Sequence, residues 1–121
     1  MINLVGSWFK GLLSKGVGVD LGTANTLIYL EGQGVVLREP SVIAIDTNTN
    51  LPLAVGEEAR AMIGRTPQGV AASRPLRDGV IAELDHAKLM LSEFIKRVSQ
   101  NSSGIRRSDI VIAVPSGITS V

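Results

Sequence analysis

Cysteine is absent from this 121-residue chain and histidine occurs once, which removes disulfides, a thiol nucleophile and any Cys- or His-rich metal centre. The lack of cysteine is compatible with a reducing compartment. Aromatic residues are scarce: one Trp, one Tyr and two Phe leave too few rings to stack single-stranded bases. Twelve basic against 11 acidic side chains give a net charge of +1, so the phosphate neutralisation that drives nucleic-acid binding has no source. Nucleic acid is excluded as a partner on both grounds. No apolar run is long enough to cross a bilayer as a helix. A chain of this length forms one domain at most and buries about two thirds of its unfolded surface.

What is present is concentrated in Gly18-Val19-Asp20-Leu21-Gly22-Thr23-Ala24-Asn25-Thr26, where two apolar runs meet through a turn of small polar residues. Gly22 lets the backbone come close to a ligand, and the successive N–H groups of Thr23, Ala24 and Asn25 can converge on one anion. The hydroxyls of Thr23 and Thr26 add donors. Asp20 repels phosphate, so its role in such a site runs through a metal ion or the water around one. The same residues are ordinary hairpin chemistry that needs no ligand, and spacing alone does not choose between the two readings. Neighbouring phosphate motifs are excluded. Gly11 and Gly16 have Walker A spacing, but Val17 stands where that motif needs Lys. Gly16 and Gly18 reach Leu21 where the dinucleotide fingerprint needs its third Gly.

Ahead of the loop, residues 1–15 place Ile2, Val5, Trp8, Phe9, Leu12 and Leu13 on one helical face. Gly6, Ser7 and Lys10 interrupt the segment too often for a signal-peptide core. An amphipathic segment with Trp8 at the headgroup boundary and Lys10 and Lys15 towards anionic lipid is expected to lie in a membrane interface. Gly6 and Gly11 each weaken a free-standing helix by about 1 kcal/mol, so packing on the protein's own surface is the competing use of this face.

After the loop the pattern becomes short β-rich runs at 17–21, 26–30, 35–38 and 42–45, of which the first three are expected to form an antiparallel meander. A short strand at 53–55 and a short helix at 57–63, bracketed by Gly56 and Gly64, follow. The longest predicted helix covers 84–100, with Leu84, Ala87, Leu91, Phe94, Ile95 and Val98 as its core face and Lys96 and Arg97 near its C-terminal end. His86, beside Asp85 at the start of that helix, reads as a solvated surface residue. A loop at 102–104 leads to the apolar run 110–114, expected to be a strand buried on both faces and lying beside the first strand.

The residues beyond the loop carry a resemblance. Leu27-Ile28-Tyr29, Gly32-Gln33-Gly34-Val35-Val36-Leu37-Arg38-Glu39-Pro40-Ser41-Val42, Ala54-Val55-Gly56 and Met62-Ile63-Gly64-Arg65-Thr66-Pro67 follow Asp20–Thr26 in order. Arg74-Pro75-Leu76-Arg77-Asp78-Gly79-Val80-Ile81-Ala82 and Val114-Pro115 complete the series. Over nearly its whole length the chain resembles the start of the MreB family of bacterial actin-like rod-shape proteins.

The resemblance implies an α/β, actin-like (ribonuclease H-like) ATPase fold. Residues 16–40 and 75–121 would form a truncated subdomain IA, with a small α+β subdomain IB inserted at 41–74, where Arg65 and Arg74 are candidates for subunit contacts. It implies ATP and Mg²⁺ as cofactors, with Gly22, Thr23, Ala24 and Asn25 on the β/γ phosphates and Asp20 acting on Mg²⁺ through water. The implied partners are like subunits in a homopolymer filament, inner-membrane lipid and the cell-wall elongation machinery, and the implied location is the cytoplasmic face of the bacterial membrane. The family is a slow filament-coupled ATPase whose second phosphate loop, adenosine pocket and hydrolytic glutamate are expected beyond Val121. Nucleotide binding by these residues alone is accordingly expected to be weak and hydrolysis absent. Two other readings compete: the N-terminal piece of another actin-superfamily ATPase or small-molecule kinase, and a membrane-associated module whose hairpin is merely structural.

Overall fold

The computed structural model describes residues 16–101 and 109–113. The amphipathic segment 1–15 with its six apolar residues, the loop at 102–104 and the stretch 114–121 lie outside the described residues.

Alternation of side chains along β1 (Gly16–Leu21) explains its place at the heart of the fold. Val17, Val19 and Leu21 are buried on one face, while Gly18 and Asp20 point to the other. β2 (Asn25–Leu30) returns antiparallel to β1, and β3 (Gly34–Pro40) continues the meander with one register shift between Ile28 and Tyr29. β9 (Asp109–Ala113) joins the opposite edge parallel to β1, giving the sheet order β3-β2-β1-β9. A parallel partner requires a crossover, and the helix that ends at Asn101 supplies it.

Between β3 and that helix the chain builds a second sheet, ordered β5-β4-β6, from β4 (Ile43–Asp46), β5 (Pro52–Val55) and β6 (Val70–Ser73). The short helix α1 (Glu57–Arg60) packs Ala59 onto this sheet beside Val42 and Ala44. A small hairpin, β7 (Leu76–Arg77) and β8 (Val80–Ile81), turns at Asp78 and Gly79, both with positive φ. The long helix α2 (Leu84–Asn101) then lies against the first sheet.

The principal core joins Val17, Val19, Leu21, Ile28, Leu30 and Leu37 of the sheet to Met90, Phe94 and Val98 of α2, with Ile43, Ile45 and Val55 of the second sheet beside them. Each large apolar side chain buried there contributes about 1.5–3 kcal/mol.

Several expectations are corrected. The buried stripe of α2 is Ala87, Met90, Phe94 and Val98; Leu84 is 56% exposed, and Leu91 and Ile95 only flank the core. Met90 faces the sheet core, whereas Leu84, the first residue of the helix, stands outside it. The α2 helix runs past Lys96 and Arg97, so no basic residue occupies its last turn. The α1 helix ends at Arg60 and continues as turns to Gly64. β9 is parallel to β1, as expected, but is not buried on both faces: Ile110 and Ile112 are 42% and 43% exposed. Their partners Val17 and Val19 belong to the core that α2 completes, whereas among the described residues β9 has a strand neighbour on one side only.

Candidate functional site

The Leu21↔Thr26 pair closes the β1–β2 hairpin, and residues 22–25 form its tip. The Gly22 N–H donates to the Asn25 carbonyl at 3.0 Å. A Cβ on Gly22 would lie 2.6 Å from that same oxygen, so no other residue fits this turn without moving it. Gly22 and Thr23 are half-buried, while Ala24 and Asn25 are exposed. The four predicted phosphate-contacting residues therefore occupy one turn at the end of the sheet.

Thr23 and Thr26 have different surroundings. Thr23 Oγ1 accepts the Gly79 N–H at 3.0 Å, which ties this tip to the Asp78-Gly79 turn of the β7–β8 hairpin. A hydroxyl that accepts still keeps its proton for a ligand. Thr26 is fully buried and bonded to Ser41 Oγ at 2.8 Å, so its expected role as a phosphate donor is corrected: the two-residue alternation of β2 turns it into the core. Ser41, also fully buried, donates its hydroxyl to the Gly22 carbonyl at 2.6 Å and its N–H to the Ala24 carbonyl at 2.9 Å. The sequence gives no local signal for Ser41, which stands 15 residues from Thr26 and 19 from Gly22.

Asp20 lies on the sheet face opposite α2, paired in register with Leu27 on one side and Ala113 on the other. Burial pushes its carboxyl above the ordinary carboxylate value of 3.8. Among the described residues no cation pairs with it, and no group of three His, Cys, Asp or Glu gathers as a metal site. A single half-buried carboxylate at the end of the sheet suits contact with a hydrated ion rather than direct chelation.

The comparisons with known proteins bear on this hairpin and its sheet. The family model described as MreB/Mbl protein matches residues 14–121. The chain belongs to the MreB/Mbl family. It is 51% identical over 110 residues to the cell shape-determining protein Mbl of Bacillus cereus, covering 91% of this chain and 33% of that protein. It is 48% identical over 117 residues to the cell shape-determining protein MreB of Escherichia coli, covering 93% of this chain and 34% of that protein. This MreB/Mbl chain therefore spans about a third of the length of the curated relatives it matches.

Among solved structures it is similar to MreB5 of Spiroplasma citri bound to ADP, with a TM-score of 0.67 and 40% identity over 85% of this chain and 30% of that one. The AMPPNP-bound form of MreB5 gives a TM-score of 0.68 and 37% identity over 85% of this chain and 31% of that one. The mixed sheet with its parallel β9 and covering helix α2 is thus part of the actin-like α/β fold.

Two polar clusters join the sheets of this MreB/Mbl chain, and sequence reading missed both. Glu39 at the end of β3 accepts the Glu57 N–H at 2.9 Å and lies 3.7 Å from Arg97 of α2. It serves α1 in place of a capping side chain, which Gly56 lacks. His86 corrects the expectation of a solvated histidine: it is half-buried, with Nδ1 3.2 Å from Ser73 Oγ and 2.9 Å from Glu83 Oε2. Burial raises the Glu83 carboxyl, but hydrogen bonds from His86 and Ser73 and the charges of His86 and Arg77 outweigh it and hold Glu83 below its ordinary 4.5. Both contacts reach His86 through the same nitrogen, which is not the relay a nucleophilic serine needs. Arg65 and Arg74 are exposed.

Proposed function

We propose that this chain is the N-terminal part of an ATP-binding, membrane-associated, actin-like filament protein that determines rod cell shape by guiding cell-wall synthesis. The observation that carries the reading is the Gly22 turn, which has no room for a Cβ and presents exposed backbone at the end of the sheet. Nucleotide-bound MreB5 structures of the same fold support it. Gly22, Thr23, Ala24 and Asn25 hold the β/γ phosphates through backbone N–H groups, and the Thr23 hydroxyl donates beside them. Asp20 holds Mg²⁺ through its water shell. Bound ATP supplies the phosphoryl group whose loss switches filament stability. Residues 16–40 and 75–121 make up subdomain IA, and residues 41–74 make up subdomain IB. Like subunits, inner-membrane lipid and the cell-wall elongation machinery are the partners, at the cytoplasmic face of the membrane.

The first test is Asp20→Asn in the protein expressed from its complete reading frame. Mg²⁺-dependent nucleotide affinity is expected to fall about tenfold or more, the cost of losing a charged contact. Folded-state stability without nucleotide is expected to move the other way. A carboxyl raised on folding binds more protons in the native than in the unfolded state, so its contribution is complete below its unfolded value and is lost as pH rises through the folded one. At pH 7 the Asp20 charge therefore works against folding, and the Asn variant melts at a higher temperature. Equal Mg²⁺ dependence in both proteins sinks the assignment of Asp20.

The membrane reading has its own test. A peptide of residues 1–15 is expected to become helical and to bind vesicles containing anionic lipid, with the Trp8 emission shifting to the blue. A peptide that stays unstructured and unbound removes the interface role of Ile2, Val5, Trp8, Phe9, Leu12 and Leu13.

A further inference from the structure

We infer that Ser41 is a positioning residue for the phosphate loop, setting which way its peptide groups face. This rests on the phosphate-holding reading of residues 22–25. Three hydrogen bonds converge on Ser41: its hydroxyl donates to the Gly22 carbonyl at 2.6 Å, its N–H donates to the Ala24 carbonyl at 2.9 Å, and its Oγ lies 2.8 Å from Thr26 Oγ1. Ser41 has one hydroxyl proton, already given to Gly22, so Thr26 is the donor in the third bond. Both side chains have no exposed surface, which fixes the arrangement.

The consequence follows from the planar trans peptide, in which C=O and the next residue's N–H point in opposite directions. No peptide in the described residues is cis. With the Gly22 carbonyl held towards Ser41, the Thr23 N–H faces away from it. With the Ala24 carbonyl held there too, the Asn25 N–H also faces away. Ser41 thus takes two carbonyl oxygens, which repel phosphate, to its own side and turns the N–H groups of Thr23 and Asn25 the other way. Without the Ser41 hydroxyl the Gly22–Thr23 peptide can flip and present an oxygen to the anion, while the backbone N–H of residue 41 still holds the Ala24 carbonyl. The position of Ser41 at the exit from β3 also places the anchor where the chain leaves the first sheet for the second.

The test compares Ser41→Ala with Thr26→Val in the protein expressed from its complete reading frame, using Mg·ADP as the probe. Both variants lose a buried hydrogen bond, and both are expected to melt at a lower temperature. Only Ser41→Ala frees the Gly22 carbonyl. Its Mg·ADP affinity is expected to fall about tenfold, whereas Thr26→Val stays within about twofold of the parent protein. Amide NMR gives the second readout: Mg·ADP is expected to shift the Thr23 and Asn25 resonances in the parent and in Thr26→Val, and in Ser41→Ala to shift Thr23 less while Asn25 still responds, because the backbone N–H of residue 41 keeps the Ala24 carbonyl. Equal affinity losses in the two variants reduce Ser41 to a structural role and overturn the inference. Parent protein that binds Mg·ADP without shifting Thr23 and Asn25 overturns the phosphate-loop reading itself, and the inference with it.

Discussion

Gly22→Ala is expected to weaken Mg·ATP binding by about a hundredfold while leaving the fold in place. The added Cβ would stand 2.6 Å from the Asn25 carbonyl oxygen, and that oxygen cannot swing aside because it already receives the Gly22 N–H at 3.0 Å. The turn has to open instead. Opening separates the N–H groups of Thr23 and Asn25 by some tenths of an ångström to an ångström, and a misplacement on the order of 1 Å costs about 10²-fold where several donors must meet one charge. The hairpin beneath survives, because β1 and β2 remain paired from Val17↔Leu30 to Leu21↔Thr26. Nucleotide titration beside far-UV circular dichroism separates the two effects. An unchanged affinity in a folded variant would mean that the hairpin is only structural, which its turn chemistry alone permits.

The second large effect is on stability. Phe94→Ala is expected to cost about 3–5 kcal/mol, because the ring has no exposed surface and the cavity it leaves is walled by both sheets. Domains of this size have only about 5–15 kcal/mol of total stability, so the loss removes a large share of it. The Arg97 guanidinium, 5.8 Å from the ring centroid, loses its aromatic neighbour as well, and its approach to Glu39 loosens with it. Urea unfolding is the measurement, with Leu84→Ala as the comparison from an exposed position of the same helix. A Phe94→Ala shift no larger than that of Leu84→Ala would show that α2 does not hold the core as described.

These two positions differ in how visible they are in the amino-acid sequence. The Gly22 turn is legible because turn chemistry is local: Asp20, Gly22, Asn25 and Thr26 lie within seven residues, and the apolar alternation on either side marks two strands. The long helix is legible from its apolar spacing, and the parallel return of residues 110–113 beside β1 from the unbroken apolar run. Phe94 belongs to the expected face, whereas buried Met90 lies outside it and exposed Leu84 within it. Periodicity gives the width of an apolar stripe, whereas the sheet against which it docks decides which edge of the stripe is covered.

The polar anchors are less visible still. Asp78-Gly79 is a hairpin signal, but β7 and β8 have two residues each, too few to show any alternation. Glu39 and Ser41, and His86 in its contact with Ser73, act on residues distant along the chain, so composition near each of them is silent about that partner.

The sequence by itself determined the family, the meander, the covering helix and the location of the Gly22 turn, since each rests on local spacing or on an ordered series of short motifs. Tertiary structure alone decided which hydroxyl faces the site and which is buried. Thr23 and Thr26 are alike in composition and three positions apart, but strand alternation and the return of β3 place one beside Gly79 and the other against Ser41. The physical reason is that a hydrogen bond depends on the position of both partners, and for these residues the second partner is brought in by the fold.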